Sequence, residues 1–365
     1  MKNIAVLILL FLYFACNNQS SENEKQSITL EKGFKNPPNE AKARTWWHWI
    51  SGNVSKSGIT KDLEAMKAVG IQEAQLFNVH LGFPKGSVKY LSEEWLDLFK
   101  FSAEEAKRLD LELAFHNSAG WSSSGGPWVT EENAMQTVVF SELIVEGGKA
   151  IKQALPRPKT KFDYYKDIAV LAFPKPKQTK KIDGLDYKIL SERVRNHLLP
   201  DTKDIAKNSV VSKEKVVDLS DKFSKDGVLE WNAPEGDWIL LRFGHTPIGT
   251  TNRPAPPEAK GLEVDKMSKT AVDAYWKGGV QPIIDKLGDL IGTTVNNCLI
   301  DSYEVETTNW TTGFETQFEN LRGYDLTSFL PTLAGYYVES GEVSERFLWD
   351  FRRTIGDLIA ENYYA

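Results

Sequence analysis

Cysteine is nearly absent from this 365-residue sequence, which contains Cys16 and Cys298 and no others. No Cys/His cluster has the spacing of a zinc site. If Cys16 is acylated, no disulfide can form within the chain. Long basic runs are also missing, and the formal net charge is −6. This charge argues against nucleic acid as a partner.

Long apolar runs are rare as well, and the main one, residues 4–15, lies at the N-terminus behind Lys2. It is shorter than the roughly 20 residues of a membrane span and fits the apolar region of a signal peptide. Ala15 before Cys16 is typical of a bacterial lipoprotein signal. We therefore expect residues 1–16 to be that signal, with lipidation at Cys16 and residence in the cell envelope. Tyr13 is bulky for such a signal, so a simple secretory signal with a free cysteine is the alternative.

Residues 17–32 are polar and rich in Ser, Asn, Gln and Glu, which predicts a disordered tether. The rest has the composition of a soluble globular protein, with 41% hydrophobic and 26% charged residues. Eleven Trp and twelve Tyr are many for this length. Indole rings suit the faces of sugars, although most of these aromatics are expected in the core.

The pattern of residues 33–135 alternates short apolar strands, at 44–50, 71–79 and 111–115, with amphipathic helices. Ser57 or Thr60 is expected to cap the first helix and Ser92 the second. This βαβαβ order predicts a parallel sheet with right-handed crossovers. Residues 136–247 show strand-like alternation between Pro/Lys-rich loops and predict a β-rich insertion. Helical patterns return in residues 248–365, around a strand at 296–304.

Two carboxylates follow directly on an apolar strand segment at 298–300, in which Cys298 is expected to be inert core. They are Asp301 and Glu304. The carboxyl ends of parallel strands are where α/β barrels do chemistry. A carboxylate held there beside aromatic rings is what glycosidic bond cleavage needs, although that chemistry takes two such groups. The side chains that come next include Asn309 and Trp310.

Two further segments could bind a sugar. Trp47 and His48 end the first strand, with Asn53 just beyond it, although alternation along the strand would turn some of the Trp side chains into the core. A buried, hydrogen-bonded His48 is the alternative. The loop at 116–128 carries His116, Asn117 and Trp121. It has neither the Lys of a phosphate loop nor the Gly-x-Ser-x-Gly of a nucleophile elbow.

Glu263 and Asp265 form the weakest candidate site. They precede a helical stretch and could simply cap it. They could also ligate a hard cation, because carboxylate oxygens suit calcium.

Several of these segments together resemble glycoside hydrolase family 106, the α-L-rhamnosidases. The matching stretches include WWHWISGNVSKSGITKDLEAMKAVGI, AQLFNV, HNSAGWSSSGGPW, GLEVDKMSK, IDSYEVETTNWT and RGYDLTSFLP. They occur between about residues 33 and 365. The resemblance implies a (β/α)8 TIM-like barrel, inversion of configuration and an active-site calcium ion. It also implies that Glu304 is one of two catalytic carboxylates. The lining residues that it implies are His48, His116, Asn117, Trp121, Asp301 and Asn309.

The sequence shows four parallel strands where a barrel needs eight, so we expect the N-terminal part of an α/β barrel with a β-rich insertion. A complete, open four-stranded layer is the alternative. Family members are longer, and the second catalytic carboxylate is expected on a later strand. Glu306 stands where a small residue is expected, and its charge would raise the pKa of a neighbouring acid, unless its side chain points to solvent. A half-barrel exposes apolar faces, so we expect poor solubility or self-association.

Three functions remain open at this point. The first is an α-L-rhamnosidase, whole or partial, that is tethered to a membrane and acts on a rhamnose-containing glycan. The second is a glycan-binding lipoprotein without catalysis. The third is a retaining glycosidase of another barrel family, for which two carboxylates would lie roughly 5–5.5 Å apart.

Overall fold

The computed structural model describes residues 30–192 and 204–364. The predicted signal peptide, Cys16 and most of the predicted tether therefore lie outside the described residues. Residues 30–32 of the predicted tether begin a short helix that buries no residue. Within residues 30–192 and 204–364, no helix combines the length and the apolarity needed to cross a membrane.

Helices and strands are numbered in chain order. The helices are α1 Leu30–Lys35, α2 Lys56–Ala68, α3 Glu93–Arg108, α4 Leu185–Lys188, α5 Lys269–Gly279, α6 Gln281–Leu287, α7 Phe314–Arg322 and α8 Gly341–Tyr363. The strands are β1 Ala43–Ile50, β2 Ile71–Val79, β3 Glu112–His116, β4 Gln136–Glu146, β5 Ala150–Ala154, β6 Lys166–Pro174, β7 Val210–Val211, β8 Val217–Asp218, β9 Val228–Asn232, β10 Asp237–Pro247, β11 Val295–Leu299 and β12 Tyr337–Val338.

A parallel sheet of order β1-β2-β3-β11 forms the first layer. The predicted bounds of β2 are confirmed, and those of β1 and β3 differ by one residue. Ser92 caps α3 as predicted, because its Oγ accepts a hydrogen bond from the backbone N–H of Trp95. The cap of α2 is Ser55 rather than Ser57 or Thr60. Within the described residues the sheet has four strands and does not close into a barrel.

Strand alternation divides the side chains of this sheet between its two faces. Trp47 and Trp49 of β1 pack with Leu76 and Phe115 under the helices on one face. The helices that cover this face are α2, α3, α5 and α6. The opposite face carries Trp46, His48, Phe77 and His116.

The second layer is an antiparallel sheet of order β4-β10-β6-β8, built within the predicted β-rich range 136–247. Its apolar face packs on α7 and α8 through Phe173, Phe243, Phe314 and Phe351. The sequence assigned α7 and α8 to the continuing barrel, but they complete the core of the antiparallel sheet instead. Their aromatic stripes predict burial and do not say which sheet they bury against.

The prediction of Cys298 as core is wrong, because the residue is exposed in β11, although neighbouring atoms desolvate the thiol and raise its pKa to about 12. Ile300 is 37% exposed and lies beyond the end of the strand. The reason is that β11 is an edge strand of the described sheet and pairs with β3 alone. An apolar strand sequence is buried on both faces only if elements on both sides cover it.

Candidate active site

The four parallel strands end at one edge of the sheet, and the predicted polar segments leave from that edge. His116 ends β3, and Asp301 follows β11 by two residues. The two segments are tied together, since the Asn117 backbone N–H donates to the Leu299 carbonyl oxygen at 3.0 Å. Ser122 and Ser302 then form a parallel bridge. The residues that sequence alone placed after two distant strands therefore meet at this edge.

His116 is buried and both of its ring nitrogens are used. The backbone N–H of Asp301 donates to Nε2 at 3.2 Å. Nδ1 must then carry the proton, and it donates to the Ser118 carbonyl oxygen at 2.7 Å. Burial lowers the pKa of His116 to about 4, although the Ser118 carbonyl and the charge of Asp301 partly oppose this. Residues 301–304, which carry Asp301 and Glu304, are called the carboxylate segment below. Through its two hydrogen bonds the neutral ring of His116 holds the start of this segment at the end of β3.

An aromatic cluster surrounds His116 on the face of the sheet away from the helices. The ring of Phe77 stacks on that of His116 at 4.8 Å between centroids, and His48 lies 5.4 Å from Phe77. Trp121 donates its indole N–H to His48 Nε2 at 3.2 Å, so this nitrogen is an acceptor. Trp46 and Trp121 are 53% and 37% exposed, which leaves indole surface open to a ligand.

The carboxylates differ in their surroundings. Asp301 is partly buried and accepts a hydrogen bond from the Ser302 hydroxyl at 3.3 Å. Its charge lies close enough to raise the pKa values of both His48 and His116, although burial has the larger, opposite effect on each. Glu304 is exposed to solvent. Its carboxylate is therefore accessible to a bound ligand and to water.

Asn117 belongs to the framework of the site. It is 3% exposed and donates from Nδ2 to the Ser123 carbonyl oxygen at 2.8 Å and to the Tyr363 hydroxyl at 3.3 Å. The backbone carbonyl oxygen of Asn117 accepts from the Tyr275 hydroxyl at 2.6 Å. Residues of α5 and α8 thus hold the loop that carries Trp121.

Trp47 and Asn53 lie to one side of the aromatic cluster. Together with His48 they line a separate cavity of about 390 Å³ at the end of β1 and the start of α2. The Trp47 indole N–H donates to Asp62 of α2 at 3.0 Å. Asn53 donates to the carbonyl oxygens of Ile50 and Pro84 and holds a turn.

Asn309 and Trp310 are not available to a sugar. Asn309 is fully buried, where its Oδ1 accepts from the Val138 backbone N–H at 2.7 Å and its Nδ2 donates to the Ile189 carbonyl oxygen at 2.8 Å. Trp310 is 1% exposed and packs on Phe314. Both join the carboxylate segment to the antiparallel sheet and its helices, so their role here is in packing.

Glu263 and Asp265 do not fit a calcium site. Glu263 is buried, and its Oε2 accepts from Lys266 Nζ at 2.9 Å and from the Ser124 hydroxyl at 2.5 Å. A buried ammonium group there repels a cation. Asp265 accepts from the Met267 backbone N–H at 3.0 Å, and burial raises the pKa of its carboxyl to about 6. Across residues 30–192 and 204–364, no group of three or more His, Cys, Asp or Glu side chains could hold a metal ion.

Sequence reasoning missed several residues of this framework. Lys266 lies three positions after Glu263, but this spacing indicates a pair only on a helix, and the segment is not helical. Buried Glu73 lies on the same face of β2 as Phe77 and joins Arg44 of β1 to Asn297 of β11. No local signal marks Tyr363 as a partner of Asn117, because 246 positions separate them.

A mixed α/β fold, with carboxylates and indole rings at the carboxyl edge of a parallel sheet, has the elements of a carbohydrate-active protein. The family model for α-L-rhamnosidases, glycoside hydrolase family 106, matches residues 35–365. The chain therefore belongs to this family. The resemblance stated from the sequence motifs is confirmed.

Two relatives are similar over nearly the whole chain. A curated protein from Formosa agariphila, described as a putative beta-glucuronidase, is 69% identical over 358 residues, which are 98% of this chain and 31% of that protein. The solved structure of a rhamnosidase from Novosphingobium sp. PP1Y is similar with a TM-score of 0.78 and 32% identity, over 92% of this chain and 45% of that chain. The chain thus spans less than half the length of each relative.

Proposed function

We propose that this chain carries part of the active site of a glycosidase that removes terminal α-L-rhamnose from a glycan. The observation that supports this most directly is the carboxylate segment after β11, held at the sheet edge beside His48, His116 and Trp121. The family membership supports the same conclusion. We further propose that the four parallel strands belong to a (β/α)8 barrel, whose carboxyl edge is this site.

In this proposal Glu304 is one of the two catalytic carboxylates. In an inverting enzyme one carboxylic acid protonates the leaving oxygen while the other carboxylate activates water, with roughly 6.5–9.5 Å between them. The exposure of Glu304 suits exchange of a proton with substrate and solvent. His116 has no free nitrogen for proton transfer, so we assign it to positioning Asp301. The exposed indoles of Trp46 and Trp121 would stack on the sugar.

We also propose lipidation at Cys16 and attachment to a membrane of the cell envelope, which would keep the enzyme close to polymeric glycans. The support is the sequence of residues 1–16. The calcium ion implied by the family remains a proposal about the whole protein, and its ligands would not be Glu263 and Asp265.

Cleavage of β-glucuronides is a second candidate, because the 69% identical relative is described as a putative beta-glucuronidase. A glycan-binding role without catalysis is a third, since Glu304 alone is half of a catalytic pair. All three candidate functions would use the same aromatic surface. They differ in the sugar that is bound and in whether it is cleaved, so tests with different substrates separate them.

The decisive experiment measures release of the aryl group from aryl α-L-rhamnoside and aryl β-glucuronide, with and without a calcium chelator. Glu304→Gln is compared with Glu235→Gln, which changes an exposed acid on a turn of the antiparallel sheet. Rhamnoside turnover that Glu304→Gln abolishes and Glu235→Gln preserves supports the proposal. Turnover of the glucuronide alone favours the second candidate. Binding of rhamnose without turnover favours the third.

A further inference from the structure

A cavity of about 630 Å³ lies beside the carboxylate segment. Glu306, two residues after Glu304, lines it, and so does Arg253. The Arg253 carbonyl oxygen accepts from the Trp121 backbone N–H at 3.0 Å, so the cavity wall is continuous with the loop of the aromatic cluster. Its volume falls within the roughly 300–1,000 Å³ of ordinary ligand sites.

The charge of this cavity is positive. Lys159, Lys161 and Arg253 line it, whereas Glu306 is the one acid among the described lining residues. Glu306 lies 3.8 Å from the Arg253 guanidinium, so these two charges largely offset each other. The two lysines then leave a net positive charge, although the whole chain is at −6. A local field of opposite sign to the rest of the protein attracts anions.

The polar groups of the wall suit a sugar ring. Lys161 donates one ammonium proton to the Ile248 carbonyl oxygen at 3.0 Å and keeps two for a ligand. Most of the remaining lining side chains are small and bear hydroxyls, including Thr250 and Thr251. Hydroxyl groups both donate and accept, as the hydroxyls of a sugar do.

We propose that this cavity is a subsite for an anionic sugar residue, with a carboxylate or a sulfate ester, next to the sugar that is cleaved. The proposal rests on the proposed function and names the chemical class of the neighbouring residue in the glycan. Lys159 and Lys161 would bind the anionic group and the threonines the ring hydroxyls. The favoured substrate would be a charged glycan rather than a neutral one.

The test is an NMR titration of the chain with three methyl glycosides of one ring: glucuronide, glucoside 6-sulfate and glucoside. We expect the anionic probes to bind more tightly than the neutral glucoside, and added salt to weaken them. Lys159→Gln with Lys161→Gln should weaken the anionic probes about tenfold, since an exposed charge contact changes affinity by roughly two- to fivefold. The control is Lys222→Gln with Lys225→Gln, which makes the same change of charge at exposed positions between β8 and β9.

Each outcome decides the proposal. Equal binding of all three glycosides overturns it, and so does anionic binding that the lysine variant leaves intact. A preference for one anionic probe identifies the group as carboxylate or sulfate. Lys159→Gln alone keeps the Lys161 contact and should lose part of the affinity, which guards against a folding defect in the double variant. Methyl α-L-rhamnoside, titrated separately, tests the proposed function: its failure to bind leaves the subsite standing, whereas rhamnoside binding without anionic binding defeats the subsite alone.

Discussion

His116 couples the carboxylate segment to the acid stability of the protein. An ordinary histidine has a pKa near 6.5, and burial lowers that of His116 to about 4. The folded state therefore keeps the ring neutral at pH values where the unfolded chain protonates it. Its stabilising contribution is complete above pH 6.5 and is lost as the pH falls from 6.5 towards 4.

The wild-type protein should lose unfolding free energy as the pH falls from 7 to 4. We expect His116→Gln to lose less, by on the order of 3 kcal/mol.

Asp265 has the opposite effect, because burial raises its pKa to about 6. Its stabilising contribution is complete at low pH and is lost as the pH rises from about 3.8 to 6. Asp265→Asn should therefore steepen the acid loss. Urea unfolding at several pH values checks both, and parallel curves for the two variants would contradict the assignment. Burial also lowers the pKa of His245 to about 4, so both variants should still lose some unfolding free energy at acid pH.

The buried pair Glu263–Lys266 offers a second test at the scale of single residues. Both side chains are 0% exposed, and Glu263→Ala would leave the ammonium group without its partner. We expect a loss of about 3–5 kcal/mol of unfolding free energy. The matched change is Glu230→Ala, which breaks an exposed pair with Lys152 and should cost less than about 1 kcal/mol. Similar melting temperatures for the two variants would show that the buried pair is not held as described.

At the scale of helices, strands and loops, the packing of the Trp128 indole fixes the loop after β3. Trp128 lies against Gly126 and against Gly278 and Gly279 at the end of α5. A Cβ at Gly278 would lie 2.5 Å from the Trp128 Cβ. Glycines near the end of this helix thus leave room for the loop that leads from Trp121 into the β-rich layer.

Gly278→Ala should destabilise the protein by about 1–3 kcal/mol, because the added methyl overpacks the contact. Gly356→Ala in α8 is the matched control, since nothing lies within 4 Å of its added Cβ. There the change should be neutral or stabilising by up to about 1 kcal/mol, from the higher helix propensity of alanine. Thermal unfolding of both variants measures the difference, and equal effects would rule out the Trp128 contact as the cause.

For the whole molecule, the open face and the edge strand predict self-association. Trp46 is 53% exposed on the face opposite the helices, and β11 is an edge strand of the described sheet, where a further strand could pair. We expect light scattering to show oligomers of this chain, and Trp46→Gln to reduce them. Trp349→Gln, at a 58% exposed position on α8, is the control and should change association less. A monodisperse wild-type monomer would refute this prediction.

The amino-acid sequence by itself determined the first three parallel strands, the two helices between them and the order of these elements. The short apolar segment at 71–79 and the cap at Ser92 predicted β2 and α3, because apolar pattern and helix capping are local properties. Motif order also identified the family, and it placed Asp301 and Glu304 after a parallel strand. These features depend on residues within a few positions of one another.

The tertiary structure alone decided which side chains meet. It turned Trp46 outward and Trp47 inward, buried Asn309 and Trp310 against the antiparallel sheet, and left Cys298 exposed on an edge strand. It also joined Tyr363 to Asn117, and Arg253 to the wall beside Glu306. Apolar pattern shows that a side chain will be buried, but the partner that buries it is set by long-range packing, which local sequence does not encode.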